Sequence, residues 1–374
     1  MKKAALHNLG CKVNAYETQA MQQLLEAAGY EIVAFHEKAD VYVINTCSVT
    51  NIADRKSRQM LHRARRLNPQ AVIVAAGCYV QTAGPDVGKE GIADIILGNN
   101  KKEHLVSMID RYLKEQAPVT DWEDVNQGKK EYEPLAVSRA AGHTRAFLKI
   151  QDGCDQFCSY CVIPYARGRV RSRRPQEVLE EVRRLADSGC KEIVLTGIHL
   201  SSYGIGMADE SPDEAGTEHA LLKLLRQIHA VDGIQRIRLG SLEPGIITRP
   251  FAQALAEMEK ICPHFHLSLQ SGCDSVLARM NRRYSTAEYA QKCEILREYF
   301  DRPAITTDVI VGFPGETEAE FAKTQEFLEQ MHFYEMHIFK YSVRKGTRAA
   351  AMDGQVAETV KTARSTKLLA LAQR

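Results

Sequence analysis

The stretch Gly153-Cys154-Asp155-Gln156-Phe157-Cys158-Ser159-Tyr160-Cys161 sets three cysteines four and then three positions apart. A tight loop of that length can turn all three thiolates toward one centre, with the aromatic Phe157 and Tyr160 shielding it from water. Soft thiolates at this spacing suit an iron–sulfur cluster. Zinc is disfavoured, because a zinc site closes its tetrahedron with CxxC pairs or histidines, and no fourth Cys or His lies in the loop. Three protein ligands on a four-iron cluster leave one iron open to a substrate or cofactor, which a catalytic site keeps and a structural site does not.

Outward from the loop, apolar strand-like runs at 147–151, 192–196, 236–239, 265–269, 305–311 and 335–341 alternate with helical stretches. The helices read as 175–188, 218–230, 250–260, 286–299, 316–330 and 356–372. In the first, Val178, Leu179, Val182, Leu185 and Ala186 line one face. These strand–helix units predict a partial (βα)6 barrel, with the cysteine loop after its first strand, at the end where such barrels hold their active sites. Other segments just past strand ends become candidates by the same geometry: Thr196-Gly197-Ile198-His199, Gly240-Ser241-Leu242-Glu243-Pro244, Gln270-Ser271-Gly272-Cys273 and the run from Asp308 to Gly315. Gly197 would let a ligand approach the backbone, and Glu243 and Gln270 offer polar contacts to a ribose or an amino group. Each of these residues reads equally well as a helix cap or turn, and Gly312-Phe313-Pro314-Gly315 as a plain turn before a helix.

The amino-terminal part repeats the parallel α/β pattern, with strands at 3–9, 41–45 and 72–76 and helices at 16–28 and 52–67. Just beyond those strands stand Cys11, Cys47 and Cys78. Ligands of open parallel sheets bind outside the carboxyl ends of the strands, so these cysteines are expected to converge, with Gly10 and Gly77 allowing tight turns beside them. The competing reading is three unrelated buried cysteines. A further strand at 94–97 and helix at 103–114 follow. Residues 117–144 then show no period and read as an interdomain linker, with Trp122 packed at the seam. Cys190, Cys262, Cys273 and Cys293 lack metal spacing and read as packing residues.

A chain of 374 residues can bury two cores without disulfides. No stretch approaches the ~18 apolar residues of a membrane span, and Met1-Lys2-Lys3-Ala4-Ala5-Leu6 is interrupted by His7 and Asn8 before it could act as a signal. The expected location is the cytoplasm, where the ten cysteines stay reduced. With a net charge of only +2, contact with nucleic acid must rest on local clusters. One is the helix bearing Arg55, Lys56, Arg58, His62, Arg63, Arg65 and Arg66, which also reads as a solvated face. The other, directly after the cysteine loop, is Arg167, Arg169, Arg171, Arg173 and Arg174, expected to contact RNA phosphates.

The Cx3Cx2C motif with an aromatic residue before its last cysteine resembles that of the radical S-adenosylmethionine (SAM) enzymes. Joined to an amino-terminal domain with three separate cysteines, it resembles the methylthiotransferases over essentially the whole chain. The stretches Gly10-Cys11-Lys12-Val13-Asn14-Ala15-Tyr16-Glu17-Thr18, Ile163-Pro164-Tyr165-Ala166-Arg167-Gly168 and Leu195-Thr196-Gly197-Ile198-His199-Leu200 are most similar to the branch acting on N6-threonylcarbamoyladenosine at position 37 of tRNA. The resemblance implies an α/β fold in two domains: 1–116 carrying an auxiliary [4Fe-4S] cluster on Cys11, Cys47 and Cys78, a linker at 117–144, and a radical SAM partial barrel at 145–374. It implies that Cys154, Cys158 and Cys161 hold the catalytic [4Fe-4S] cluster, whose open iron binds SAM; further SAM contacts are expected at Tyr160 in the loop and, from their places past strand ends, at Gly197, Ser241, Glu243, Gln270 and Asp308. The implied reaction replaces the C2 hydrogen of the adenine by a methylthio group, fed by an external electron donor and a sulfur donor that the sequence does not name. The alternatives are a methylthiotransferase acting on isopentenyladenosine or on a ribosomal-protein aspartate, and, from another class, a non-catalytic iron–sulfur RNA-binding sensor. Relatives usually continue into a small RNA-gripping β-barrel; this sequence stops at Arg374, inside or just after the last helix, so either the chain is cut short before that module or this member lacks it.

Overall fold

The computed structural model describes residues 2–84, 87, 91–139, 144–207 and 219–373. The expected helix start at Glu218 and the part of the aperiodic segment at 140–143 fall outside the described residues. Two compact units are present: Met1–Asp155 with Val162–Cys190, and Gln156–Cys161 with Lys191–Arg374. By its contacts, the strand–helix pair that flanks the cysteine loop belongs to the first unit.

The first unit contains β1 (Lys3–Asn8), α1 (Lys12–Ala27), β2 (Glu31–Ile32), β3 (Val41–Thr46), α2 (Asn51–Leu67), β4 (Val72–Gly77), α3 (Cys78–Ala83), β5 (Ile95–Leu97), α4 (Leu105–Glu115) and β6 (Val119–Asp121). The strands form one parallel sheet in the order β2-β1-β3-β4-β5-β6. Both faces are covered, so the central strands β3 and β4 are buried along their whole length rather than on alternate residues. On one face Tyr42, Ile44, Ile73 and Ala75 pack with Leu61 and Ala64 of α2. On the other, Val41, Val43, Val72 and Val74 pack with Met21 and Leu25 of α1 and with Leu105 and Ile109 of α4. The unit is completed by β7 (Arg145–Lys149), β8 (Gln151–Asp152), α5 (Ile163–Arg167), β9 (Arg171–Ser172) and α6 (Pro175–Asp187), with β8 and β9 antiparallel.

The second unit runs β10 (Glu192–Thr196), α7 (Ala220–His229), β11 (Arg236–Leu239), α8 (Arg249–Ala256), β12 (His264–His266), α9 (Asp274–Arg279), α10 (Thr286–Tyr299), β13 (Ala304–Val311), α11 (Glu318–Met331), β14 (Glu335–Lys340) and α12 (Glu358–Leu371). β10 pairs with β11, and β12, β13 and β14 pair in sequence, all parallel. Parallel bridges Ile237–Ile261 and Leu242–Leu267 carry the pairing from the first group to the second. α10 and α11 each begin at a capping box, Ser285 with Glu288 and Thr317 with Glu320, which satisfies otherwise orphaned amides at both starts.

The segment at 117–144 is not free chain where it is described. It contributes β6, and Val125, Leu135 and Val137 are buried. The Tyr16 hydroxyl reaches the Leu135 carbonyl at 2.9 Å and the Glu181 carboxylate at 3.0 Å, and the Trp122 indole donates to the Gln81 carbonyl at 3.3 Å. Partners distant in sequence order this stretch, so it needs no local period. Tyr16→Phe removes a buried hydroxyl that serves a charged group, so it is expected to lower stability by about 1.5–3 kcal/mol, measured by denaturant unfolding.

Candidate functional site

Cys47 and Cys78 stand immediately past β3 and β4, and Cys11 three residues past β1; the three strands are neighbours in the sheet. Adjacent strands lie about 4.8 Å apart, so sheet order alone gathers residues that are far apart in sequence. Asn14 tightens the arrangement by donating to the carbonyls of Leu9 at 2.7 Å and Thr46 at 3.0 Å. Ser57 brackets the Cys47 backbone, accepting from its amide at 3.2 Å and donating to its carbonyl at 3.1 Å. Gly77 has φ +95°, and a Cβ there would stand 2.5 Å from Asn45 Oδ1. A Cβ on Gly10 would stand 2.9 Å from the Cys47 sulfur. Burial raises the Cys47 thiol to about 11, and Cys47 and Cys11 each feel the charge of Cys78. Three clustered thiols with glycine-cleared space fit a thiolate-bound cluster, which would form by displacing their protons.

Beside them lies a buried charge lattice. Arg167 is fully buried, with Nη1 2.8 Å from Glu17 and 3.1 Å from Asp152, and Nη2 2.6 Å from Asn14 Oδ1. Lys149 bridges the same two acids at 2.7 and 2.6 Å, and Lys102 lies 3.3 Å from Glu17. Burial would raise the Glu17 carboxyl, but Arg167, Lys102 and Lys149 outweigh it and hold it well below the usual carboxylate range. Asn99 joins the lattice to the cysteines, accepting from Lys102 at 2.8 Å and directing its amide toward the Cys78 sulfur at 3.6 Å. Asp152 also accepts from the Gly153 amide at 2.8 Å, which fixes the start of the cysteine loop. Gly153 itself has φ +73°, and a Cβ there would stand 1.9 Å from the Arg169 carbonyl.

These contacts correct the reading of the arginine run as a phosphate-binding face. Arg167, Arg171 and Arg173 are buried; Arg171 donates to the Arg169 carbonyl at 3.2 Å, and Arg173 pairs with Glu181 at 2.6 Å. Charge spacing alone cannot separate a solvated arginine from one neutralised by acids that the fold brings to it, such as Glu17 at Arg167. Arg169 and Arg174 are exposed, as are Arg55, Lys56, His62, Arg63 and Arg66 on α2, whereas Arg65 is tied to Asp94 at 2.7 Å.

In the second unit Arg282 donates to the Cys158 sulfur at 3.4 Å and to the Ser268 carbonyl at 3.2 Å. The Tyr284 hydroxyl lies 2.9 Å from Arg282 Nε, and Glu243 lies 3.8 Å from Arg282 Nη2. His199 approaches Glu243 at 3.0 Å, and Gln156 donates to the same carboxylate at 3.2 Å. Burial would raise Glu243, but His199 and Arg282 hold it below its ordinary range. Ser159 donates to the Arg279 carbonyl at 2.8 Å, and Asn281 donates to the carbonyls of Gln156 and Phe157 at 3.2 and 3.1 Å. Tyr160 packs edge-on against Phe313 at 6.5 Å, so the Gly312–Gly315 turn also supports the loop. Gln270 is held at φ +74°, between the Asp308 carbonyl and the Ile310 amide. Gly197 and Glu243 are half-buried, Ser241 is exposed, and Asp308 is engaged by His266 at 3.1 Å. Arg282 and Asn281 went unread in the sequence because they follow the short helix α9, which has too few turns to show a period. The only available signal was the basic run Arg282-Arg283 before Tyr284.

Residues 148–328 match the radical SAM superfamily, and residues 3–98 match the uncharacterized protein family UPF0004. A threonylcarbamoyladenosine tRNA methylthiotransferase of Bacillus subtilis is 45% identical over 372 residues, covering 99% of this chain and 80% of that protein. The chain belongs to the radical SAM tRNA methylthiotransferases. A second relative with the same description, from Aquifex aeolicus, is 39% identical over 96% of this chain and 85% of its own length. A tRNA-2-methylthio-N6-dimethylallyladenosine synthase of Pelotomaculum thermopropionicum is 35% identical over 99% of this chain and 82% of its own length. In fold, the chain is similar to the radical SAM methyltransferase TsrM of Kitasatospora setae, with a TM-score of 0.64 at 16% identity over 94% of this chain and 77% of that one.

Methylthiotransferases of this family use SAM and [4Fe-4S] clusters. Both cysteine sets in this chain have the soft donors such clusters require. Arg167 supplies positive charge beside one set and Arg282 beside part of the other. Replacing Arg167 by Met would strand Glu17 and Asp152 with one cation fewer, so a loss of about 3–5 kcal/mol is expected. Arg169→Ala should stay within about 0.5 kcal/mol of wild type. Chemical unfolding of the two variants measures both; equal effects would mean that the lattice is not what holds this region.

Proposed function

We propose that this methylthiotransferase acts on N6-threonylcarbamoyladenosine at position 37 of tRNA, replacing the adenine C2 hydrogen by a methylthio group. The observation that carries this reading is the 45% identity, over nearly the whole chain, to a relative named for that activity. Cys154, Cys158 and Cys161 are assigned to the catalytic cluster, and Cys11, Cys47 and Cys78 to the auxiliary cluster. When bound, the clusters and SAM supply one-electron chemistry and activated sulfur, which an unactivated aromatic C–H bond requires because it has no acidic proton to abstract.

The chain's own residues position and shield. Gln156, Asn281 and Ser159 hold the backbone of the cysteine loop, and Arg282 places a cation against Cys158. Glu243 and Gln270, with Tyr160, Gly197 and Ser241, are assigned to SAM: Glu243 as an ionised acceptor kept anionic by His199 and Arg282, Gln270 through an amide set by its left-handed backbone. Holding a splayed-out base in line with the cofactor is where the protein contributes most, since loop bases are accessible to such insertion and duplex bases are not. Phosphate contact is assigned to Arg169, Arg174 and the exposed cations of α2. Among the described residues no helix is long and apolar enough to cross a membrane. The work on tRNA is assigned to the cytoplasm, with an external electron donor.

The relatives named as dimethylallyladenosine synthases favour a second reading, isopentenyladenosine as substrate. Anaerobic turnover with tRNA carrying either modification, followed by nucleoside mass spectrometry, should show methylthio insertion only into threonylcarbamoyladenosine. Insertion only into isopentenyladenosine would replace the proposal, and an absence of 5′-deoxyadenosine would favour a non-catalytic sensor. Changing Cys11, Cys47 and Cys78 together to Ala should preserve 5′-deoxyadenosine release and abolish methylthio insertion; a variant that still inserts sulfur would overturn the auxiliary-cluster assignment.

A further inference from the structure

β12, β13 and β14 carry His266, Asp308 and His337, and one ligand atom from each lies within 4.8 Å of the other two. The sheet register explains the grouping. Asp308 stands directly opposite His337, and His266 stands opposite Thr306, two residues before Asp308 and therefore on the same face. His266 is anchored from behind, its Nδ1 2.9 Å from the Thr306 hydroxyl, which directs Nε2 toward Asp308 Oδ2 at 3.1 Å. The two imidazoles lie 5.9 Å apart by centroid at 27° to one another, and Glu335 adds a carboxylate 3.8 Å from His337 Nδ1. His266 is buried while His337 is exposed, so the group runs from the interior to an open edge through which an ion can enter.

We propose that His266, Asp308 and His337 form a binding site for a divalent transition-metal ion, with Zn2+ the best fit. An ion pair between His266 and Asp308 would need only two of these residues. Two imidazoles and a carboxylate on three neighbouring strands, the inner imidazole fixed by a hydroxyl behind it, make the arrangement of a three-ligand metal site with its supporting hydrogen bond. Borderline nitrogen and oxygen donors suit Zn2+, Mn2+ or Co2+ rather than the thiolate-bound iron of the cysteine sets. Three protein ligands leave a position for an oxygen ligand. Asp308, expected from its place in the sequence to contact SAM, is thereby reassigned to this ion.

The test uses anaerobically reconstituted, cluster-loaded enzyme, stripped of loose metal by a chelator and titrated with Zn2+, with zinc, iron and sulfide measured per chain. One zinc per chain is expected beyond the iron content. His337→Ala and Asp308→Asn should weaken zinc binding by at least ~10-fold, and Thr306→Val by about 10–100-fold, all without loss of iron. The Cys11, Cys47 and Cys78 triple variant should keep this zinc, which separates the site from the auxiliary-cluster assignment. Zinc that is absent from the wild type, or bound equally by the His337→Ala variant, overturns the proposal. Because His337 lies on an exposed strand, that variant remains decisive if a change at Asp308 or Thr306 disturbs folding.

Discussion

Glu17 is a carboxylate with no exposure to water, and Arg167, Lys149 and Lys102 surround it. A lone buried carboxylate would be unsustainable, and leaving any one of these charges without its partners costs several kcal/mol. The lattice therefore locks together the parts of the chain that supply its members. α1 contributes Asn14 and Glu17 just after Cys11, β7 and β8 contribute Lys149 and Asp152 just before Cys154, and α5 contributes Arg167. The lattice ties α1, β7, β8 and α5 to one another through charges that cannot be left unpaired, and so fixes the backbone beside Cys11 and Cys154.

The cysteines themselves depend on a simpler constraint. A parallel sheet sends every strand end to the same edge, and β1, β3 and β4 are adjacent, so residues more than thirty positions apart in sequence emerge side by side. Positive φ at Gly10 and Gly77 turns the chain sharply enough that no side chain intrudes. The second unit applies the same rule at the ends of β10, β11 and β12, where His199, Glu243 and Gln270 are found.

What was legible in the sequence follows from this. Strands at 192–196 and 236–239 and the helix at 286–299 have the observed bounds, because a short apolar run in the first, apolar–polar alternation in the second and a full capping box at the helix announce themselves locally. The cysteine positions were legible because strand ends are predictable. The short helices α3, α5 and α9 were not, having too few turns to show a period, and neither was the packed course of the segment around Leu135, whose order comes from Tyr16. The arginines after the cysteine loop illustrate the same limit: Arg167 looks like a surface cation until Glu17, distant in sequence, comes to meet it, and Arg173 is drawn inward by Glu181 on α6 together with Tyr16 from α1. Burial is a long-range property, and a single sequence carries it only where periodicity reveals a face.

The central claim is that one chain carries two cysteine-bound clusters. Iron and acid-labile sulfide, measured per chain in anaerobically prepared wild-type protein, test it most directly. Two four-iron clusters give about eight of each. About four of each, in protein that still cleaves SAM, would leave Cys11, Cys47 and Cys78 without a cluster and contradict it.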